Sequence, residues 1–267
     1  MGDLGNGDPV KPKTRVILVG IGGATCSGKT TLAKHLARIL PNSVIIHQDD
    51  FAPPQEQVPI HPVYKIQDWD APAGAIQWPR MIESLREVKR TGVIPPEHIS
   101  HDHLNEQKDV PLSDDIKLKW SRYFEEMQGN AERDGDKIVW GLVDGFLLYW
   151  HSDVYEQLDA RVFLRIPEDV LKHRRHARHG YHTAVQFDPE GSLWRDPPHY
   201  WDQIVWPAYL EANREIFAGG DVEHGGPGGK VYRLVLVDAI KESMEELVDK
   251  CCELLKETLL EIRYTQF

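Results

Sequence analysis

The chain is poor in cysteine: Cys26, Cys251 and Cys252 are the only three among 267 residues. Three thiols so placed make no disulfide framework and no zinc-ligand spacing, which points to a reducing, intracellular setting. Long apolar runs are also missing. None approaches the length of a membrane span, and no hydrophobic leader precedes Lys11. The Met1-Gly2 start lacks the Ser or Thr at position 6 that myristoylation uses. The cytoplasm is the expected location, the nucleus being compatible, and no membrane contact is expected. Positive charge is scarce, with 31 Lys and Arg against 42 Asp and Glu and a net charge of -11. A general nucleic-acid binder carries a basic footprint, so that class is set aside. An anionic ligand would need a local cluster of positive charge instead. There is no internal repeat. What is present is apolar material: 41% of the residues are hydrophobic, enough to fill a core in a chain of this length.

Residues 16–31 organise the rest. An apolar run, Val16 to Ile21, feeds into Gly23-x-x-x-x-Gly28-Lys29-Thr30. A helical pattern follows, with Leu32, Leu36, Ile39 and Leu40 on one face. Strand, glycine loop and helix in that order is the context of a phosphate-binding P-loop. Gly23 and Gly28 allow a tight path that turns successive N–H groups inward, and the opening helix adds its positive dipole end. The expected nucleotide-binding set is Gly23, Ala24, Thr25, Cys26, Ser27, Gly28, Lys29, Thr30 and Thr31. Lys29 can reach the outer phosphates, and the Thr30 hydroxyl can ligate Mg²⁺.

The remaining elements read in order. Residues 1–14 form a loose polar tail and 15–267 a single domain, with strands at 15–22 and Ser43 to His47 and a helix over 28–40. The second strand ends in Gln48-Asp49-Asp50-Phe51, where polar residues face the ligand crevice of an open α/β sheet. Asp49 there can take a proton from a substrate hydroxyl, while Asp50 is the one more suited to capping a turn. Trp69-Asp70 precedes a helix read from Ala75 to Lys89. An aromatic plane beside a carboxylate suits an aromatic ring carrying a sugar; a buried tryptophan beside a capping aspartate is the plain alternative. Residues 92–136 read as an insertion lying over the domain, helical from Ile116 to Met127. Its histidines His98, His101 and His103 lack the companions of a metal site. The strand from Lys137 closes on Asp144, a carboxylate placed as in the second P-loop motif to hold Mg²⁺ directly or through water. A strand from Arg161 to Ile166 leads to a helix beginning at Pro167 and rich in basic residues, among them Arg174, Arg175 and Arg178. These form a basic lid, about 174–198, fit for bidentate phosphate contacts. Residues 182–198 read as loop, Tyr200 to Phe217 as a helix, Gly219 to Gly229 as a flexible loop, Tyr232 to Val237 as the last strand and Ile240 to Ile262 as the closing helix.

The P-loop, Gln48-Asp49-Asp50-Phe51, Trp69-Asp70, Asp144-Gly145-Phe146-Leu147-Leu148, the arginine helix and Val205-Trp206-Pro207-x-Tyr209-Leu210 together resemble the nicotinamide riboside kinases, within the uridine-kinase-like group of P-loop kinases. The blocks are spread over residues 15–218. The resemblance implies an α/β P-loop kinase fold with a five-stranded parallel sheet flanked by helices, ATP and Mg²⁺, and transfer of the γ-phosphoryl to a ribose 5′-hydroxyl. It puts the general base on Asp49, the ribose-binding carboxylate on Asp70 and the ring-stacking aromatic, usually Tyr, on Trp69. The ribose- and phosphate-binding arginines fall on Arg175 and Arg178. The metal-side carboxylate, often Glu, falls on Asp144, whose shorter reach suggests contact through a water. The longer lid leaves Tyr181 and Trp194 both open as the second stacking aromatic. A uridine, cytidine or pantothenate kinase is the neighbouring reading. A nucleotide-binding switch without acceptor chemistry is a reading from another class, and it would want an Asn-Lys-x-Asp motif that the sequence lacks. Expected partners are ATP and a nucleoside, in a monomer or homodimer.

Overall fold

The computed structural model describes residues 13–105, 107–178, 180–185 and 188–264. Its elements in chain order are β1 (Lys13–Gly23), α1 (Lys29–Ile39), β2 (Ser43–His47), α2 (Trp78–Thr91), α3 (Asp114–Arg133), β3 (Asp136–Gly145), α4 (Ser152–Tyr155) and β4 (Ala160–Arg165). They continue with α5 (Glu168–His176), β5 (Tyr181–Val185), β6 (Asp188–Trp194), α6 (Trp206–Asn213), β7 (Val235–Asp238) and α7 (Met244–Tyr264). Five strands form one sheet in the order β2-β3-β1-β4-β7, every neighbouring pair parallel. This is the five-stranded sheet that the sequence implied.

β1 lies at the centre and is buried from Val16 onward. A strand covered on both faces carries apolar side chains without alternation, and its two faces meet different helices. Val16 and Leu18 join the cluster made with α2, α4 and α6, whereas Ile17, Val19 and Ile21 join the one made with α1, α3 and α7. Strand order changes direction at β1, so the loops after β1, β2, β3 and β4 converge at the carboxyl edge of the sheet.

Several boundaries differ from the sequence reading. β1 begins at Lys13, so the tail read over 1–14 gives up its last two residues to the sheet, and 1–12 lie outside the described residues. The helix read from Ala75 starts at Trp78, with Pro79 in its first turn. The helix read from Ile116 to Met127 is a turn or more longer at its far end, and it is no cover over the domain. Trp120 and Phe124 are buried among α1, α7 and β3, and the Trp120 indole donates to Asp249 of α7 (2.8 Å). Residues 182–198, read as loop, hold most of an antiparallel hairpin, β5 with β6. The helix read over Tyr200 to Phe217 is broken into a π turn (Trp201–Val205), α6 and a 3₁₀ turn (Arg214–Ile216). Pro207 has no N–H to give to the turn before it, and the wider π turn takes up the mismatch. The last strand starts at Val235, after an exposed Tyr232, and the closing helix at Met244. Among the described residues no helix is long and apolar enough to cross a membrane.

Candidate active site

The chain leaves β1 through Gly23 at φ 139°, turns at Cys26 with φ 62° and enters α1 through Gly28 at φ 95°. A side chain at Gly23 would strike the Leu164 carbonyl of β4, 2.4 Å from an ideal Cβ. Gly28 as the left-handed residue before α1 aims the first helical N–H groups back over the loop. Lys29 folds onto the loop and donates to the Ala24 carbonyl (2.7 Å). Burial lowers its pKa, against the pull of Asp49 and Asp144.

Two strand ends supply the acid side. Asp144 closes β3 and is buried. Its Oδ2 accepts from the Thr30 hydroxyl (2.5 Å) and its Oδ1 lies 2.7 Å from His47 Nδ1. Burial opposes ionisation of Asp144, but His47, Thr30 and Lys29 together hold its carboxyl below the usual range. Burial likewise works against a charged His47, yet Asp144, Asp102 and Asp50 lift it to about 9. After β2, Asp50 turns inward to accept the His101 N–H (3.1 Å), while Asp49 stays open to solvent in the cleft. Crowding by the surrounding protein raises the Asp49 carboxyl, and Lys29 partly offsets that. Buried Gln48 accepts the Leu147 N–H (2.8 Å), so the Gln-Asp-Asp-Phe and Asp-Gly-Phe-Leu-Leu stretches are tied to one another.

The opposite wall is aromatic. The rings of Trp69 and Trp194 lie 5.7 Å apart at 59°, and Tyr200 stands 5.5 Å from Trp194. The Tyr200 hydroxyl accepts the Trp69 N–H (3.0 Å) and donates to the Gln67 carbonyl (3.1 Å), which fixes the turn that carries Asp70. Asp70 is buried, and that burial pushes its carboxyl up to about 6 despite the attraction of Arg175. Buried Arg175 makes a two-pronged contact with Asp196, at 2.6 and 3.0 Å, and Asp196 also accepts from the Trp194 indole (3.0 Å). Tyr181 stands elsewhere. Its hydroxyl is 3.2 Å from both Thr25 Oγ1 and Cys26 Sγ, and its ring lies 4.9 and 5.0 Å from the Arg175 and Arg178 guanidinium carbons. A narrow cavity beside Asp70 runs from the phosphate loop at Ala24 and Thr25, past Phe146 and Leu147, to Trp206 and Tyr209 of α6.

The residues singled out in the sequence therefore gather around one cleft, with Tyr181 at its phosphate end and Trp194 at its aromatic end. His98 goes to Asp50 (3.5 Å) and Phe51. Sequence reasoning missed His47, Asp196 and Tyr200. His47 ends a strand beside the crevice, the same positional signal that marked Asp49. Asp196 lay in the stretch read as loop, and Tyr200 was read only as the start of a helix.

A central strand, glycine loop and helix, with carboxylates closing the two strands on one side and arginines leaving the strand on the other, define a P-loop kinase. Sequence comparison narrows that class. The chain is 32% identical over 214 residues to nicotinamide riboside kinase of Saccharomyces cerevisiae, covering 78% of this chain and 82% of the yeast protein. It is 32% identical over 208 residues to that of Schizosaccharomyces pombe, covering 78% and 84%. With human nicotinamide riboside kinase 2 it shares 28% over 248 residues, covering 91% and 83%. No protein-family model matches the chain. The chain belongs to the nicotinamide riboside kinase family.

Proposed function

We propose that this protein transfers the γ-phosphoryl group of ATP to the 5′-hydroxyl of nicotinamide riboside, giving nicotinamide mononucleotide and ADP. The observation that carries the reading is the pairing of an aromatic wall, Trp69 with Trp194, with a buried carboxylate and arginine, Asp70 and Arg175. A pyridinium ring laid against this indole wall gains cation–π attraction that a neutral pyrimidine does not receive in full. Asp70 accepts bonds from the vicinal ribose hydroxyls, whose donation favours its ionised form. Trp194, beside Trp69, is the second stacking aromatic; Tyr181 serves the phosphate end.

The donor side follows from the loop. Main-chain N–H groups from Gly23 to Thr31 hold the phosphates, and Lys29 exchanges the Ala24 carbonyl for phosphate oxygens. Hard oxygen donors in contact, Thr30 and Asp144, fit Mg²⁺. Among the described residues no three His, Cys, Asp or Glu form a metal cage, the usual condition where phosphates and water supply most ligands. When bound, the ion neutralises charge on the β- and γ-phosphates. His47 keeps Asp144 oriented. Asp49 accepts the proton of the 5′-hydroxyl as its oxygen bonds to the γ-phosphorus and the bond to the ADP oxygen breaks. Arg175 and Arg178 neutralise the equatorial oxygens.

The test is kcat/KM for nicotinamide riboside, uridine, cytidine and pantothenate, with Asp49→Asn and Trp69→Ala alongside the natural chain. Nicotinamide riboside should lead, Asp49→Asn should be nearly inactive, and Trp69→Ala should lose the preference between rings. A uridine value tenfold above nicotinamide riboside, about 1.4 kcal/mol in favour of the pyrimidine, would replace this reading with a uridine kinase.

A further inference from the structure

The stretch between α2 and α3 received no role from the sequence, yet it runs back across the mouth of the cleft. Two moorings hold it. One is the end of β2, where the His101 N–H donates to Asp50 (3.1 Å) and the His98 ring sits 5.0 Å from that of Phe51. The other is the phosphate-loop helix. Lys34 of α1 pairs with Asp102 (2.5 Å) and donates to Gln107 (2.9 Å), and Gln107 in turn donates to Asp102 (2.8 Å). From this moored stretch Asn105 meets β5. Its Oδ1 accepts the His182 N–H (3.0 Å), and its Nδ2 points a longer bond at the His182 carbonyl (3.5 Å). One amide side chain thus meets both main-chain groups of a strand residue, as a neighbouring strand would. The hairpin belongs to a two-stranded sheet of its own, apart from the central one. His182 directly follows Tyr181, whose hydroxyl touches the phosphate loop at Thr25 and Cys26.

We infer that Asn105 is a positioning residue: a latch that holds the β5–β6 hairpin, and with it Tyr181, down over the phosphate loop of the ligand-free chain. The mooring on Asp50 and Lys34 gives the latch a fixed base, so the hairpin's rest position is set by the same two elements that carry Asp49 and the phosphate loop. Nucleotide reaches the loop when the latch opens. The kinetic part of this inference rests on the nucleotide-binding reading above; the structural part does not.

The experiment compares amide hydrogen exchange of the full chain without ligand in the natural protein, Asn105→Ala and Asn105→Asp. The aspartate keeps the acceptor and loses the donor. In Asn105→Ala the His182 amide and its neighbours in 181–185 should exchange faster by on the order of tenfold, the worth of roughly one hydrogen bond. Asn105→Asp should fall between, and β1 and β3 should not change. Stopped-flow mixing with ATP should show association rising on the order of tenfold with dissociation little changed, so that Kd tightens by a similar factor, because the latch stabilises the ligand-free state alone. Unchanged exchange at His182 in Asn105→Ala overturns the latch, as does acceleration spread equally through β1 and β3. If the natural chain fails to bind ATP, the nucleotide reading falls, and the exchange result alone decides the latch.

Discussion

Replacing Asp70 with asparagine removes one charge and almost no volume. Burial lifts the Asp70 carboxyl from 3.8 to about 6, with Arg175 opposing and Asp68 and Asp196 adding to the rise. The folded chain therefore holds more proton than the unfolded chain between those two values. A group of this kind adds stability that is fully present below 3.8 and is lost as pH rises, levelling off above about 6. At 1.36 kcal/mol per unit, the gap of roughly two units costs the free protein about 3 kcal/mol at pH 8. Asparagine has no such titration. Asp70→Asn should be the more stable chain by up to about 3 kcal/mol at pH 8, the difference shrinking to about 1 kcal/mol near pH 4.5. Urea unfolding at the two pH values measures it, with the slope checked for constancy. The same variant should lose about 1–3 kcal/mol of nucleoside binding, because ribose hydroxyls meet a weaker acceptor. Equal stability at pH 8, or a difference that does not change with pH, would refute the claim that Asp70 is held charged against its surroundings.

Two further outcomes can be stated. On the proposed reading, in which the Lys29 ammonium meets charge developing on the phosphates, Lys29→Ala should leave the fold intact by circular dichroism while cutting phosphoryl transfer by several orders of magnitude. Trp120→Ala should lower unfolding free energy by about 3–5 kcal/mol, because that side chain fills the space between α3 and α7 rather than covering a surface; a loss below about 1 kcal/mol would restore the picture of an overlying insertion.

The central strands were legible because burial on both faces leaves no room for polar residues, so the runs at Val16 and Ile138 stand out from their surroundings. The phosphate loop was legible for a different reason: backbone geometry at Gly23 and Gly28 admits few residues. The hairpin escaped because β6 carries Pro189 and Gly191 inside it, residues that usually end strands, and an isolated ribbon has no core to impose alternation. α3 was cut short because its far turns hold no large apolar residue and their burial falls on Gln128 and Ala131. At the site, residue types chosen by chemistry were readable: a carboxylate at a strand end, an aromatic beside an acid. Residues that work through partners, such as His47 on Asp144 or Asp196 on Arg175, show only when both partners are placed.

The order of the sheet has a consequence for the newly made chain. β1 finds its hydrogen-bonded neighbours only in β3 and β4, with Lys13 opposite Asp136 and Val19 opposite Ala160, and β2 pairs with β3 alone. A growing polypeptide thus carries two apolar strands with bare edges until the third has been synthesised. Parallel pairings over such separations form slowly and leave sticky intermediates exposed meanwhile. The phosphate loop is shaped late for the same reason, since its floor at Leu164 belongs to β4. Nucleotide cannot rescue the early chain, and variants that slow the docking of β3 should reduce soluble yield well before they touch the mature enzyme's turnover.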